Sequence, residues 1–321
     1  MNVWMVYDRE GLARNESYVS LFRRHFQMYG FCVEAVVDEQ VKQKISAGER
    51  PFCVFVRTID PPVNRFFETE GIPVFNSYEV SRICNDKGHT LARFRDRVLS
   101  VPSITLEGGE WERVMEQDGR DLSSVRRYFS DRFSFHTSSF GAAFEEQERD
   151  MIERAEDFVL KTVDGHGGSE VYRFCREQER IRAACQQTAK GNAGGRTIAG
   201  RKMVLQPLIK NGCQFQDMRV YVIGKRIAAA VMRSSSGDFR ANYSRGADVA
   251  LVKLRDSQAQ IVNRITGELE FGMAGIDFLF DRDGNMVLNE IEDVAGSRML
   301  YECAPHIDIV SQYVAYVMSC L

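Results

Sequence analysis

Residues 275–293, GIDFLFDRDGNMVLNEIED, constrain the fold of this chain more than any other stretch. Two apolar runs, Ala274 to Phe280 and Met286 to Ile291, flank the turn-forming residues Asp281-Arg282-Asp283-Gly284-Asn285, a pattern that predicts an antiparallel hairpin. If Arg282 to Asn285 form the turn, Asp277 lies opposite Glu290. The two-residue repeat of a strand then puts Glu292 on the same face as Glu290. Like charges across a ladder repel, so a cation is expected among these carboxylates. Magnesium suits the position because it takes hard oxygen ligands and leaves positions for phosphate oxygens. A solvated acidic face is the bland alternative, and the apolar flanks argue against it. A five-residue turn would shift the register.

A second chemical signal lies upstream. Phe158-Val159-Leu160-Lys161 reads as a strand, and Thr162 to Ser169 follow as a turn containing Gly165, Gly167 and Gly168. Backbone N–H groups in such a turn can approach phosphate oxygens while the Lys161 ammonium neutralises their charge. The arrangement is not a P-loop, because the lysine precedes the glycines. Taken alone it also fits a plain hairpin. His166 reads as a loop residue, since no nucleophile is paired with it.

The remaining pattern is mixed α/β, and the length of 321 residues suggests two or three domains. Near the amino terminus, strands at Val3–Tyr7, Phe31–Val37, Phe52–Val56 and Ile72–Phe75 alternate with helices at Tyr18–Tyr29 and Val63–Glu70, which predicts a parallel open sheet. Asn76 and Ser77 offer a cap to a helix from Tyr78, and Asn85-Asp86-Lys87-Gly88 interrupts it. Expected boundaries are 1–85 for this open-sheet domain, 86–202 for a central lid domain and 203–321 for an antiparallel-sheet domain. The segment from Glu107 to Asp157 shows no clear periodicity. A helix is expected over Glu177–Thr188, and the glycine-rich run from Lys190 to Lys202 reads equally as lid or linker. Strands are expected at Met203–Pro207, Met218–Val222 and Arg226–Met232, with a hairpin turn at Ile223-Gly224-Lys225, and a last helix over Asp308–Cys320.

Composition narrows the function classes. The chain carries 45 acidic and 42 basic residues, a net charge of −3, and so offers no broad basic field for nucleic acid. No apolar run long enough for a membrane span and no leader-like start is present, which predicts a cytoplasmic protein without a membrane partner. The 8 cysteines lack Cys-x-x-Cys spacing and read as reduced thiols. A homo-oligomer remains open.

Lys161 with its glycine turn, then LQPLIKNGCQFQDMRVYVIGKRIAAAVMR, DFRANYSRGA and AGIDFLFDRDGNMVLNEIEDVAG, occur in the order found in ATP-grasp ligases. The chain most resembles the RimK-type branch, which holds ribosomal-protein glutamate ligases and lysine-biosynthesis ligases. The resemblance covers roughly residues 78–300. It implies an ATP-grasp fold with an amino-terminal open-sheet domain, a lid domain and a carboxy-terminal domain, and ATP between the last two. By matching positions it implies that Lys87 and Lys161 contact ATP, and that Leu205 to Ile209, including Gln206, Pro207 and Leu208, form the hinge for adenine. Asp217 and Arg219 match the branch's polar pair. Arg233 matches a phosphate-facing arginine, and Asn242 and Arg245 match groups near the reacting phosphoryl. Asp277 and Glu290 match two magnesium ligands, while Glu292 and Ala295 replace the asparagine and proline usual in that run. Two magnesium ions are expected, with manganese as an alternative.

The activity implied is ATP-dependent joining of a small-molecule or peptide carboxylate to an amine through an acyl phosphate. A phosphotransferase or a non-catalytic ATP-binding module on the same scaffold are the alternatives. Ser297 and Arg298 follow the metal strand directly and are candidates to hold an anionic substrate group. Equally, Arg298 can pair with Glu292 or Asp293.

Overall fold

A computed structural model of the protein describes residues 1–117, 121–135, 141–165, 170–186, 197–211, 215–235 and 247–321. The predicted Gly167, Gly168, Asn242 and Arg245, with His166 and residues 190–196, lie outside the described residues.

Four parallel strands open the chain: β1 (Asn2–Tyr7), β2 (Cys32–Val37), β3 (Val54–Val56) and β4 (Val74–Phe75), in the order β2-β1-β3-β4. Between them run helices α1 (Arg9–Arg14), α2 (Glu16–Gln27), α3 (Asp38–Ser46) and α4 (Pro61–Thr69). Pro61 and Pro62 suit the first turn of α4, where their missing N–H groups cost no helical bond. Beyond its other end Gly71 adopts φ +69° and turns the chain into β4. The stripe Val19, Phe22 and Phe26 of α2 is fully buried. Burying each such side chain contributes roughly 1.5–3 kcal/mol.

Helices α5 (Tyr78–Cys84) and α6 (Lys87–Phe94) lead to a second sheet made of β5 (Ile104–Leu106), β6 (Phe158–Thr162), β7 (Val171–Arg173) and β8 (Met203–Pro207). All its pairings are antiparallel, in the order β5-β8-β6-β7, so the sheet runs on to Pro207, past the boundary expected at 202. The segment without visible periodicity contains α7 (Glu110–Gln117), α8 (Leu122–Arg132) and α9 (Glu145–Glu153), and α10 (Gln178–Gln186) follows β7. These helices show water mostly charged faces and bury narrow stripes, Trp111-Val114-Met115 on α7 and Val125-Phe129 on α8, against Phe158, Leu160 and Leu205.

The third sheet is fully antiparallel: β9 (Phe215–Ile223), β10 (Arg226–Ser235), β11 (Asp248–Val252), β12 (Met273–Phe280) and β13 (Met286–Glu292), ordered β11-β10-β9-β12-β13. Helix α11 (Asp256–Thr266) covers one face, with α5 and α6, around Val220, Phe271, Ile276 and Phe278. Helices α12 (Arg298–Cys303) and α13 (Ile309–Cys320) complete the chain. Tyr313 of α13 meets Phe22 and Phe55 edge-on, with ring centres 6.1 and 5.2 Å apart, and so joins the first and third sheets in one core. Asn76 adds a polar clasp. Its Nδ2 donates to the carbonyls of Met273 (2.9 Å) and Asp293 (2.8 Å), and its Oδ1 accepts from Gly272 N–H.

The β12–β13 hairpin reaches the expected register by an unexpected route. Asp281 N–H donates to the Asn285 carbonyl (3.2 Å), and Gly284 adopts φ +78°, so the tip is one residue tighter than the Arg282–Asn285 turn. Phe280 therefore pairs with Met286 and Phe278 with Leu288. The register then shifts between Phe278 and Asp277, where Asn289 is the extra residue, and Asp277 faces Glu290 after all.

Candidate functional site

One face of the third sheet carries alternating charge across four strands. Arg233 on β10 pairs with Asp217 on β9, Arg219 on β9 pairs with Asp277 on β12, and Asp277 pairs with Glu290 on β13. The two-residue repeat puts Asp217 beside Arg219 and Glu290 beside Glu292. Arg219 donates from Nε and Nη2 to the two oxygens of Asp277 (2.7 and 2.6 Å), and its Nη1 lies 2.8 Å from Glu292. Arg233 holds Asp217 with Nε and with Nη2 (2.7 Å), and its Nη2 also reaches Asp277 (2.9 Å). The repulsion expected among the hairpin carboxylates is therefore already met by guanidinium groups. These carboxylates do not by themselves require a cation, contrary to the expectation from like charges across the hairpin.

Two lysines arrive from the other side. Lys87 is the first residue of α6; its N–H, unused by the helix, donates to the Val163 carbonyl (3.0 Å) and draws the glycine turn over the sheet. Its Nζ donates to the Gly165 carbonyl and lies 3.5 Å from Glu290. A Cβ on Gly165 would stand 2.1 Å from Thr162 Oγ1, so a larger residue there would have to displace that hydroxyl. Lys161 on β6 donates to Asn289 Oδ1 (3.0 Å), the bulge residue, whose part in the site the sequence did not signal.

Burial sets the electrostatics. It would raise the Asp277 carboxyl, but Arg219 and Arg233 outweigh it and hold the group down to about 2. Burial likewise works against the charged form of Glu290, yet Lys87 and Lys161 lower its pKa overall. For Asp217 burial wins over Arg233, and the carboxyl is pushed up to about 7. Lys161 is lowered to about 8 by burial, with Lys87 adding to the effect and Glu290 and Asp277 opposing it.

Asp277, Glu290 and Glu292 each offer an oxygen within 4.8 Å of the others. This all-oxygen donor set fits a hard divalent cation. Arg219 and Arg233 would have to yield Asp277 for it to ligate directly, whereas among the described residues the ion pair of Glu290 is with Lys87, at 3.5 Å.

The hinge leaves the end of β8. Gln206 is buried and donates to Ser103 Oγ (2.7 Å), Pro207 pairs with Phe158, and Leu208 N–H is already taken by the Asp157 carbonyl (2.9 Å). Ser297 is buried with its Oγ unpartnered, while Arg298 opens α12 exposed to water. Among the described residues Arg298 has no ion pair, so the pairing with Glu292 or Asp293 is not made; Glu292 is held by Arg219. Among those residues, too, no helix is long and apolar enough to cross a membrane.

Residues 137–317 match the RimK-like ATP-grasp domain. An uncharacterized protein of Mycoplasma pneumoniae, an MG011 homolog, is 30% identical over 152 residues, 47% of this chain and 48% of that protein. A probable alpha-L-glutamate ligase of Pasteurella multocida is 25% identical over 258 residues, 79% of this chain and 67% of the relative. The chain thus spans about half the length of the first of these curated relatives. The crystal structure of D-cycloserine synthetase DcsG superposes with a TM-score of 0.64 at 14% identity, covering 99% of this chain and 100% of that one, a likeness of fold. With a domain match over more than half of its residues and the fold to go with it, the chain belongs to the RimK-like ATP-grasp family.

Proposed function

We propose that this protein is an ATP-dependent carboxylate–amine ligase. The observation that carries the reading is the meeting of Lys87 and Lys161, from the side of the second sheet, with Asp277, Glu290 and Glu292 on the third. Two ammonium groups suit a polyphosphate, and the facing carboxylates suit the cation that accompanies it. The three sheets correspond in this reading to the open-sheet, lid and carboxy-terminal domains, and the Leu205–Ile209 hinge takes the adenine. The setting is the cytoplasm.

Magnesium held by Asp277, Glu290 and Glu292 would supply charge neutralisation at the transferring phosphoryl. Among the described residues, four carboxylates (Asp217, Asp277, Glu290 and Glu292) face four cationic groups (Lys87, Lys161, Arg219 and Arg233). Two divalent ions would balance the four negative charges of ATP, which favours two ions over one. Arg219 and Arg233, loosened from Asp277, are then available to the charge that develops on the phosphoryl oxygens. In the reaction a carboxylate oxygen attacks the γ-phosphorus and ADP leaves. The amine nitrogen then attacks the acyl carbon, phosphate leaves with the oxygen that linked it to the acyl group, and the nitrogen loses a proton. Asn242 and Arg245 keep their proposed role toward the reacting phosphoryl, and Gly167 and Gly168 theirs toward the phosphates. Ser297 and Arg298 remain candidates for the organic substrate, since among the described residues neither side chain is otherwise engaged. The name of the Pasteurella relative supports an amino acid as one substrate.

ADP release measured over a panel of carboxylates and amines, with mass spectrometry of the products, tests this. The ligase reading expects release that needs both substrates and a product joined by loss of water. A phosphorylated hydroxyl product would make the protein a kinase instead.

A further inference from the structure

The parallel sheet has its own ligand-type geometry. Its order β2-β1-β3-β4 reverses direction between β1 and β3, and ligands of open α/β sheets bind outside the carboxyl ends of the strands at such a switch point. Tyr7 ends β1, and Arg57 and Thr58 directly follow β3. Arg57 is a half-buried cation whose Nε is shielded from water and bonds nothing. Among the described residues its Nη2 donates to the carbonyls of Ala295 (3.0 Å) and, more weakly, Val294 (3.5 Å). The Tyr18 ring lies 5.1 Å from its guanidinium carbon. Among the described residues no carboxylate stands within the 4.0 Å of an ion pair; Asp293 feels the charge of Arg57 from farther off. Beside it the hydroxyls of Tyr7 and Tyr18 are buried and unpartnered. A cation half removed from water without a counterion is costly, and so are orphaned hydroxyls beside it. An anion with several acceptor lone pairs satisfies all of them at once.

We propose that this crevice binds the α-carboxylate of the amine substrate, an α-amino acid, with Arg57 as its anchor. The inference rests on the ligase reading and names the class of its second substrate. One guanidinium among neutral hydroxyls matches one negative charge and a flat two-oxygen group, which is a carboxylate rather than a phosphate dianion. The crevice also lies next to the reacting end. Ala295 is three residues beyond Glu292, a span of at most about 10 Å. A Cβ built on Gly275 would meet Ala295 Cβ at 3.2 Å and Arg219 Cδ at 3.1 Å, so the carbonyl that receives Arg57 belongs to a residue beside the metal face. An α-amine, two bonds from the anchored carboxylate, then sits on the side from which an acyl group arrives.

The test is calorimetric binding to the full chain of each proteinogenic L-amino acid and of its α-carboxamide, with magnesium and a non-hydrolysable ATP analogue present. The expected result is an amino acid preferred over its own amide by at least about 30-fold, the size of effect that follows from losing a buried charge pair. In Arg57→Met that preference should collapse to within about 3-fold, and Arg57→Lys should keep part of it. Tyr18→Phe, which removes a hydroxyl that bonds nothing in the protein and leaves the ring beside Arg57, should weaken the preference several-fold without loss of folding and serves if the methionine variant does not fold. The proposal is overturned if acid and amide bind the wild type alike, if no amino acid binds a chain that binds the analogue, or if the preference survives Arg57→Met. Failure of the ligase reading looks different: the analogue itself does not bind, and the acid-over-amide comparison is then made without it.

Discussion

The charged face of the antiparallel sheet and the crevice of the parallel sheet both bury guanidinium groups, but they treat them differently. On the face, Arg219 and Arg233 meet Asp217, Asp277 and Glu292 within 2.9 Å. In the crevice, Arg57 meets carbonyls and aromatic rings. A face that satisfies its own charges is stable empty and works by exchanging partners when nucleotide and metal enter. A crevice with an unanswered charge is finished only by its ligand. The contrast turns on counterions, so substitutions that remove or add one should act unequally on stability and on binding.

The largest effect is expected at Asp277. Replacing it with asparagine leaves two buried guanidiniums short of a partner, so Asp277→Asn should destabilise the protein by about 3–5 kcal/mol in denaturant unfolding. Magnesium-dependent ADP release should fall by at least about 1,000-fold. Glu290→Gln, which leaves Lys87 and Lys161 their hydrogen bonds to Gly165 and Asn289, should match the loss of activity at a smaller cost in stability. A change of under about 1 kcal/mol for Asp277→Asn would break the view that this face is balanced by its own ion pairs.

Lys161 gives the opposite sign. Its folded pKa is lowered from 10.5 to about 8, so burying the ammonium below pH 8 costs about 3 kcal/mol relative to water. Between pH 8 and 10.5 the folded state holds fewer protons than the unfolded one, so the cost fades as pH rises through that window. Lys161→Met should therefore raise the melting temperature at pH 7, and the gain should shrink toward pH 10. ATP binding should weaken by about 100-fold while adenosine binding is unchanged. Equal weakening of both ligands would assign the lysine to structure.

Gly275 lies where the two regions touch. Gly275→Ala would press a methyl group against Arg219 and Ala295, at a cost of about 1–3 kcal/mol. Turnover should fall more than ATP affinity, because the displaced group is Arg219 and not a lysine. Thermal melts alongside kcat and KM for ATP check this.

The smallest effect on stability is expected at Arg298, which is exposed and unpaired among the described residues. Arg298→Lys should move stability by less than about 0.5 kcal/mol. If the side chain holds substrate, KM for the carboxylate or amine should rise about 10-fold with KM for ATP constant. The reverse pattern would place it at the metal.

Much of this was legible in the sequence, and the misses share a cause. The period-two hairpin around Asp283-Gly284 put Asp277 opposite Glu290, yet the predicted turn was one residue too long and the Asn289 bulge cancelled the error. The same difficulty hides the Arg233–Asp217 pair, since a register shift between Ile227 and Ala229 decides it. A bulge has no pattern of its own; it shows only when two strands are laid together. The helices between residues 110 and 153 were obscured by charge, although Trp111, Val114 and Met115 already stood at helical spacing. Arg57 carried no signal. One arginine after a three-residue strand means nothing until its burial and its lack of a counterion are seen.

The most direct test of the central claim is to label the carboxylate substrate with oxygen-18 and follow the label through one turnover. An acyl-phosphate ligase passes one labelled oxygen from the carboxylate to inorganic phosphate, because the bond between the acyl carbon and that oxygen is the one that breaks when the amine attacks. Labelled phosphate, formed only when the amine is present, is the predicted result. Unlabelled phosphate alongside a joined product, or label retained wholly in the organic product, would contradict it.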